Sequence, residues 1–384
     1  MTETLPRDSR LDGIVHTAAG LAGCRPADVV VRPVPYAFGS PATAGIWQVC
    51  APDRQWCVKA IQHPRHWPGL QLMPPELQEG FAAEFPWRFE LDMEESGIAA
   101  VMPPGLRTAR LDRVETPDDE HATLWWEWID DDGSAWTRAQ YLDAARALGR
   151  LAARRREGAP ANTALPGLCL RVPRGFALRM YAERRTLWTT VPVLRDPGVR
   201  AHPVVQAALA ETGPGVWDDM LVLASRIPSL LDALDGLPQT FAHGDASPQN
   251  LLRPSAEPGT FVAIDWGFGS LLAVGFDLGQ LLVGLVHAGL APASQVPELA
   301  DDVVAAYAEG CSLEGWDVGA DPVRRGFVGS VLCRSVLDSV PLDALEGEPD
   351  AARTELMVER LRLCRALLDL DGDLDLDGDL GLEG

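Results

Sequence analysis

A chain of 384 residues with 47% hydrophobic side chains holds enough apolar material for a sizeable core and two or three structural units. Its formal charge of −22, from 55 acidic against 33 basic residues, excludes nucleic acid and anionic membrane surfaces as electrostatic partners. Seven cysteines, odd in number and without a CxxC pair, argue for reduced thiols in a cytoplasmic protein and against a disulfide framework or a zinc site.

From the N-terminus, no basic segment leads into an apolar one, so no secretory signal is expected. Residues 9–23 carry Leu11, Ile14, Val15 and Ala18 at helical spacing behind Ser9 as N-cap. Strands are expected at Val29 to Val34, Gly45 to Cys50 and Trp56 to Gln62, the last two joined by a turn at Asp53-Arg54-Gln55. A helical run from Pro75 to Glu95 follows, with Pro86 placed to split it. Strand-like pieces recur at Ala99-Met102 and Ala122 to Ile129, before the polar break Asp130 to Ser134.

Beyond the break the apolar period becomes helical. Thr137 and Gln140 form a capping box for a helix to Glu157, stopped by Gly158. Helices and loops fill 159–236, a short β-rich stretch carries His243 to Gly269, and helices occupy most of 277–368. The apolar stretch Leu271 to Ala291 is broken by Asp277, Gln280 and glycines, so it reads as buried core and not as a membrane span. Residues 369–384 hold seven carboxylates and no base, a solubilising, disordered tail. Its DxDxDG start at Asp373 resembles half of a calcium loop but lacks the glutamate at position 12 and an exiting helix. The chain is thus α+β: an N-terminal helical segment (1–27), a β-rich lobe (28–130), a larger helical lobe (131–368) and the tail.

Of the 33 basic residues, 32 are arginine; the one lysine, Lys59, lies in the apolar strand Val58-Lys59-Ala60-Ile61. Lysine differs from arginine in offering a compact ammonium on a flexible stem, suited to phosphate oxygens or to a Schiff base. Downstream, His243-Gly244-Asp245-Ala246-Ser247-Pro248-Gln249-Asn250 precedes Ile264-Asp265-Trp266-Gly267. Phosphoryl transfer needs a carboxylate beside the attacking hydroxyl, hard oxygen ligands for Mg²⁺, and a cation on the phosphates, and these segments supply all three. A P-loop is excluded because the only lysine follows valine, and a pyridoxal phosphate enzyme would leave the HGD and DWG segments without a role.

HGDxxxxN, then IDWG, with a strand lysine far upstream, resembles the aminoglycoside phosphotransferase and choline kinase family, small-molecule kinases with a two-lobed, protein-kinase-like fold. The likeness spans Val29 to Gly310 and departs from the protein kinase set at Gly244 and Trp266. The resemblance implies Asp245 as the catalytic-loop carboxylate and Asn250 and Asp265 as magnesium ligands. It implies Lys59 on the α/β phosphates of ATP, paired with Glu90 (Glu84 being second choice). Asp277 would brace the catalytic loop or cap a helix, and His243 would pack beneath the loop. The Gly39 to Gly45 loop, with Ser40 and Thr43, stands where phosphates are covered, and the backbone of Glu127 to Ile129 where adenine is met.

The expected function is transfer of the ATP γ-phosphate onto a hydroxyl of a small molecule, a cationic antibiotic such as an aminoglycoside being one acceptor suited to the acidic body. Two alternatives share these residues. A silent nucleotide-binding regulator would lack one of Lys59, Asp245, Asn250 or Asp265, and all four are present. A kinase of protein-linked sugar adducts would need an open cleft. The acceptor and the oligomeric state are not written in any motif.

Overall fold

The computed structural model describes residues 9–36, 40–159, 172 and 174–372. Gly39, part of the 159–236 segment and tail residues 373–384 lie outside the described residues. The chain divides into two compact units, residues 1–95 with 108–131 and residues 96–107 with 132–384.

The first unit begins with α1 (Ser9–Ala22), followed by β1 (Val30–Pro33), β2 (Thr43–Ala51) and β3 (Arg54–Gln62). Helices α2 (Pro75–Glu84) and α3 (Phe89–Glu95) come next, divided around Pro86 as its missing N–H requires. After α4 (Ile98–Val101) and β4 (Leu106–Thr108), the unit resumes with β5 (Leu111–Asp118) and β6 (His121–Glu127). The antiparallel sheet has the order β1-β2-β3-β6-β5.

Strand alternation gives this sheet two different faces. Trp56, Val58 and Ala60 join Trp47, Val49 and Trp125 on one face, where Ile14 and Ala18 of α1 cover them. The N-terminal helix is therefore part of this unit's core. Ile61, Ala122 and Leu124 lie on the other face with Leu91 of α3. Lys59 alternates onto that second face, opposite Leu124 in the β3–β6 register.

Two local expectations are corrected and one strand was unforeseen. The β2–β3 hairpin turns at Pro52-Asp53, since Ala51 already pairs with Arg54. Ala99-Met102 is no strand: α4 occupies Ile98–Val101, entered through Gly97 at φ 73°. Strand β5 was not anticipated because it is an edge strand, mostly exposed and polar, without apolar alternation.

The second unit opens with α5 (Arg138–Arg154), capped by the reciprocal Thr137–Gln140 box. The helical segments α6 (Phe176–Arg179), α7 (Met180–Thr190, wound with π pitch), α8 (Val191–Leu194), α9 (Pro197–Arg200), α10 (Pro203–Thr212) and α11 (Gly215–Asp235) follow. Four short strands come next: β7 (Gln239–Ala242), β8 (Leu251–Leu252), β9 (Phe261–Ala263) and β10 (Ser270–Ala273). The unit closes with α12 (Asp277–His287), α13 (Gln295–Leu313), α14 (Ala320–Arg334) and α15 (Ala351–Asp369). Strand β7 pairs with β10, and β4, β9 and β8 form a second small sheet. Helices α5 and α13 approach so closely that a Cβ on Gly149 would meet the Tyr307 carbonyl at 2.1 Å, and one on Gly310 the Arg146 carbonyl at 2.1 Å. Among the described residues no helix is long and apolar enough to cross a membrane, and no disulfide is formed.

Candidate active site

In the first unit, β3 and α3 together place one ion pair. Lys59 Nζ lies 2.7 Å from Glu90 Oε1, with the two side chains only 12% and 10% exposed. A pair this sheltered keeps more of its Coulomb attraction than a surface pair, and it fixes the ammonium at one point. Leu91, next to Glu90, packs into the sheet and holds α3 against the Lys59 face. Glu84 ends α2 on the exposed surface.

The loop before β2 is a tight turn, with the Thr43 N–H donating to the Ser40 carbonyl at 3.2 Å. Ser40 is half-buried there, while Thr43 is buried at the head of β2. Two of the three amides at Glu127–Ile129 are engaged within the protein. The Glu127 N–H donates to Arg110 O at 2.9 Å and the Trp128 N–H to Gln55 O at 3.2 Å. The Glu127 carboxylate accepts from the Arg110 N–H at 2.9 Å. Among the described residues the Ile129 amide has no backbone acceptor.

In the second unit, β7 delivers His243 and the loop that follows. Asp277, the first residue of α12, accepts the His243 N–H at 3.1 Å on Oδ2 and the Gly244 N–H at 2.8 Å on Oδ1. The carboxyl is fully buried, and burial pushes its pKa up, against the pull of His243 and of the two backbone donors. His243 Nδ1 accepts the Asp245 N–H at 3.2 Å, so the network assigns the proton to Nε2, which donates to Ile264 O at 2.9 Å. Its ring also lies 4.4 Å from that of Trp266. His243 thus ties the HGD loop to the IDWG turn, as a packing residue.

Register explains how the distant Asn250 and Asp265 meet. Leu251 pairs with Ala263 and Leu252 with Val262, and the Ile264 N–H donates to Asn250 O at 3.0 Å, so the two residues close the same end of one β-ribbon. Asn250 Nδ2 donates to Asp245 O at 2.9 Å and to Asp245 Oδ2 at 3.0 Å. This leaves the Asn250 side-chain oxygen Oδ1, the kind of atom a hard cation takes, without a hydrogen bond among the described residues. Asp265 has φ 56°, the only positive φ at a non-glycine among the described residues. That conformation costs about 1–2 kcal/mol and sets its carboxylate at the turn. No three His, Cys, Asp or Glu side chains among the described residues form a metal cage. The donor set fits a divalent ion that takes its other ligands from phosphate and water.

Sequence reasoning missed Arg334, at the end of α14. Its Nη2 lies 2.8 Å from Asp245 Oδ1, and its Nη1 donates to Gly244 O. The guanidinium, 10% exposed, sits 4.7 Å from the Phe268 ring and 5.4 Å from the Tyr181 ring. The available signal was one arginine closing the apolar run Gly326 to Cys333.

No protein-family model matches the sequence, and no curated protein is significantly similar. Solved structures do match. The microcompartment-associated aminopropanol kinase aligns with 94% of this chain and 98% of its own, at TM-score 0.54 and 14% identity. An amicoumacin kinase in complex with AMP-PNP, Ca²⁺ and Ami aligns with 94% of this chain and 93% of its own, at TM-score 0.51 and 12% identity. The chain therefore has the α+β, protein-kinase-like fold of small-molecule kinases.

Proposed function

We propose that the protein is a phosphotransferase that moves the γ-phosphate of ATP, with magnesium, onto a hydroxyl of a small molecule. The observation that carries this is the joint anchoring of Asp245, Asn250 and Asp265 on one loop and ribbon, with a braced backbone beneath them. The sheltered Lys59–Glu90 pair supports it, and so do the two structural neighbours, both named as kinases of small molecules.

In this assignment Asp245 accepts the proton of the acceptor hydroxyl as its oxygen bonds to the γ-phosphorus. The bond from that phosphorus to the β–γ bridging oxygen breaks, and ADP leaves. Lys59 holds the α/β phosphates, and the Ile129 amide supplies a donor for adenine. Asn250 and Asp265 would hold the magnesium, which neutralises phosphate charge when bound. The reading is tested by calorimetry of ATP with and without magnesium. Strong metal dependence is expected in the wild-type protein and should vanish in Asp265→Ala; equal binding in all conditions would refute the metal assignment.

A second outcome concerns Lys59. The guanidinium of Lys59→Arg keeps the charge but is longer and planar, so it cannot occupy the point held by the ammonium against Glu90. At least about a tenfold loss in kcat/KM for ATP is expected, roughly 1.4 kcal/mol of transition-state stabilisation. Near-normal turnover would make the solitary lysine an accident of composition.

A further inference from the structure

A cavity of about 420 Å³ opens in the helical unit, lined by α7, the 338–343 segment, His287 and Arg360. Its volume is within the range of small-molecule sites. Asp338 forms one wall. It accepts from Thr190 Oγ1 at 2.7 Å and from Thr186 Oγ1 at 3.3 Å, and Arg185 Nε lies 3.4 Å away. Thr186 and Thr190, four residues apart on α7, share the face that meets this one carboxylate.

The cavity lies near the catalytic loop. Asp338 is within electrostatic reach of Tyr181, whose ring lies 5.4 Å from the Arg334 guanidinium that holds Asp245. A molecule seated here is therefore only a few side chains from the carboxylate assigned to the acceptor hydroxyl.

Charge around the cavity is balanced. Arg185 stands beside Asp338, and Asp343 is within electrostatic reach of Arg360. His287 adds no charge at neutral pH, because burial, then Arg360 and Arg334, push its pKa down to about 4. Ser339 Oγ donates to Ser335 O at 2.6 Å and so must accept from His287 Nε2 at 2.7 Å. That assignment leaves Nδ1 of His287 as an acceptor with no hydrogen-bond partner among the described residues. Among the described lining residues two guanidiniums, two carboxylates and a neutral imidazole sum to zero, although the whole chain carries −22. The acidity of the body is not focused here. A polycation entering this cavity would lose hydration at several ammonium groups and find no surplus carboxylate in return.

Building on the phosphotransferase assignment, we infer that this cavity holds the part of the acceptor remote from its reacting hydroxyl, and that it takes a hydroxyl compound of zero net charge and disfavours polycations. The shared chemistry is a hydroxyl-rich body with its charges absent or internally balanced, as in a neutral polyol or a hydroxylated zwitterion.

The test is ADP release by the full chain with magnesium-ATP and three probe sets at equal concentration: neutral sugars and polyols, hydroxylated amino acids and dipeptides, and the polycation kanamycin. Release with the first or second set is expected, and which of them responds identifies the source. Arg185→Glu is a charge reversal at a side chain 62% exposed, and an unchanged ATP affinity of the variant shows that it is folded. It should lower the KM for kanamycin relative to the zero-charge acceptor by at least about tenfold. Fastest release with kanamycin, release with no set while ATP is bound, or an unchanged KM ratio in Arg185→Glu would each overturn the inference. Absence of ATP binding in the same samples would instead overturn the phosphotransferase assignment, and the inference with it.

Discussion

Asp245→Ala should lower turnover by about 10²- to 10⁴-fold while ATP affinity stays within a few-fold of wild type. The asymmetry follows from what Asp245 touches. Its carboxylate is held by Arg334 on Oδ1 and Asn250 on Oδ2, and its backbone by His243 and Asn250. These contacts aim a carboxylate that is 21% exposed, and in the proposed mechanism it acts on the acceptor hydroxyl and not on the nucleotide. The truncation also removes the anion facing Arg334, so some loss of stability will accompany the loss of rate. Asp245→Asn keeps the volume and one amide oxygen for Arg334 but not the charge, so it should recover part of the stability and none of the turnover. Collapsed ATP affinity with high residual turnover would show that Asp245 serves the nucleotide instead.

Most of this site was legible because its parts are written locally. A lone lysine in an apolar strand, an aspartate and an asparagine five residues apart, and an aspartate at a glycine turn are visible in a linear chain. The brace at Asp277 and the packing role of His243 were legible for the same reason. What could not be read was long-range geometry. Arg334 is 89 residues from Asp245, and only the packing of α14 behind the loop unites them. The hinge was legible only as a stretch. The backbone of Glu127 to Ile129 could be placed opposite adenine, but not the Arg110 carbonyl, just before the polar strand β5, that takes the Glu127 N–H.

The inferred acceptor cavity meets the same limit from the other side. Bulk charge of −22 is compatible with cationic acceptors, whereas charge acts on a ligand through the groups that face it. Around the cavity, Arg185, Arg360, Asp338 and Asp343 cancel, a balance that no composition can report. The individual residues were all in view; their convergence was not.

Gly244→Ala should be far more damaging than its one added methyl group suggests. Gly244 has φ 80°, and a Cβ there would lie 2.1 Å from Phe268 O and 2.6 Å from Phe268 C. Both obstacles are backbone atoms in the turn that follows Asp265, so neither can rotate away. The left-handed conformation costs alanine about 1–2 kcal/mol, and forcing apart the two segments about 1–3 kcal/mol more. Relief by movement is worse for function, because Gly244 is held by Asp277 through its N–H and by Arg334 through its carbonyl, directly before Asp245. A displacement near 1 Å at such a position costs about 10²-fold in rate. This also explains why the loop reads HGD here, since an arginine in the second position would meet the same carbonyl. Gly315, at φ 75° with nothing within 4 Å of an added Cβ, is the control. Gly315→Ala should lose only the conformational share of stability and leave turnover intact. Urea midpoints and turnover of both variants decide the matter: equal losses would mean that backbone conformation alone, and not the approach of the Phe268 carbonyl, makes Gly244 a glycine.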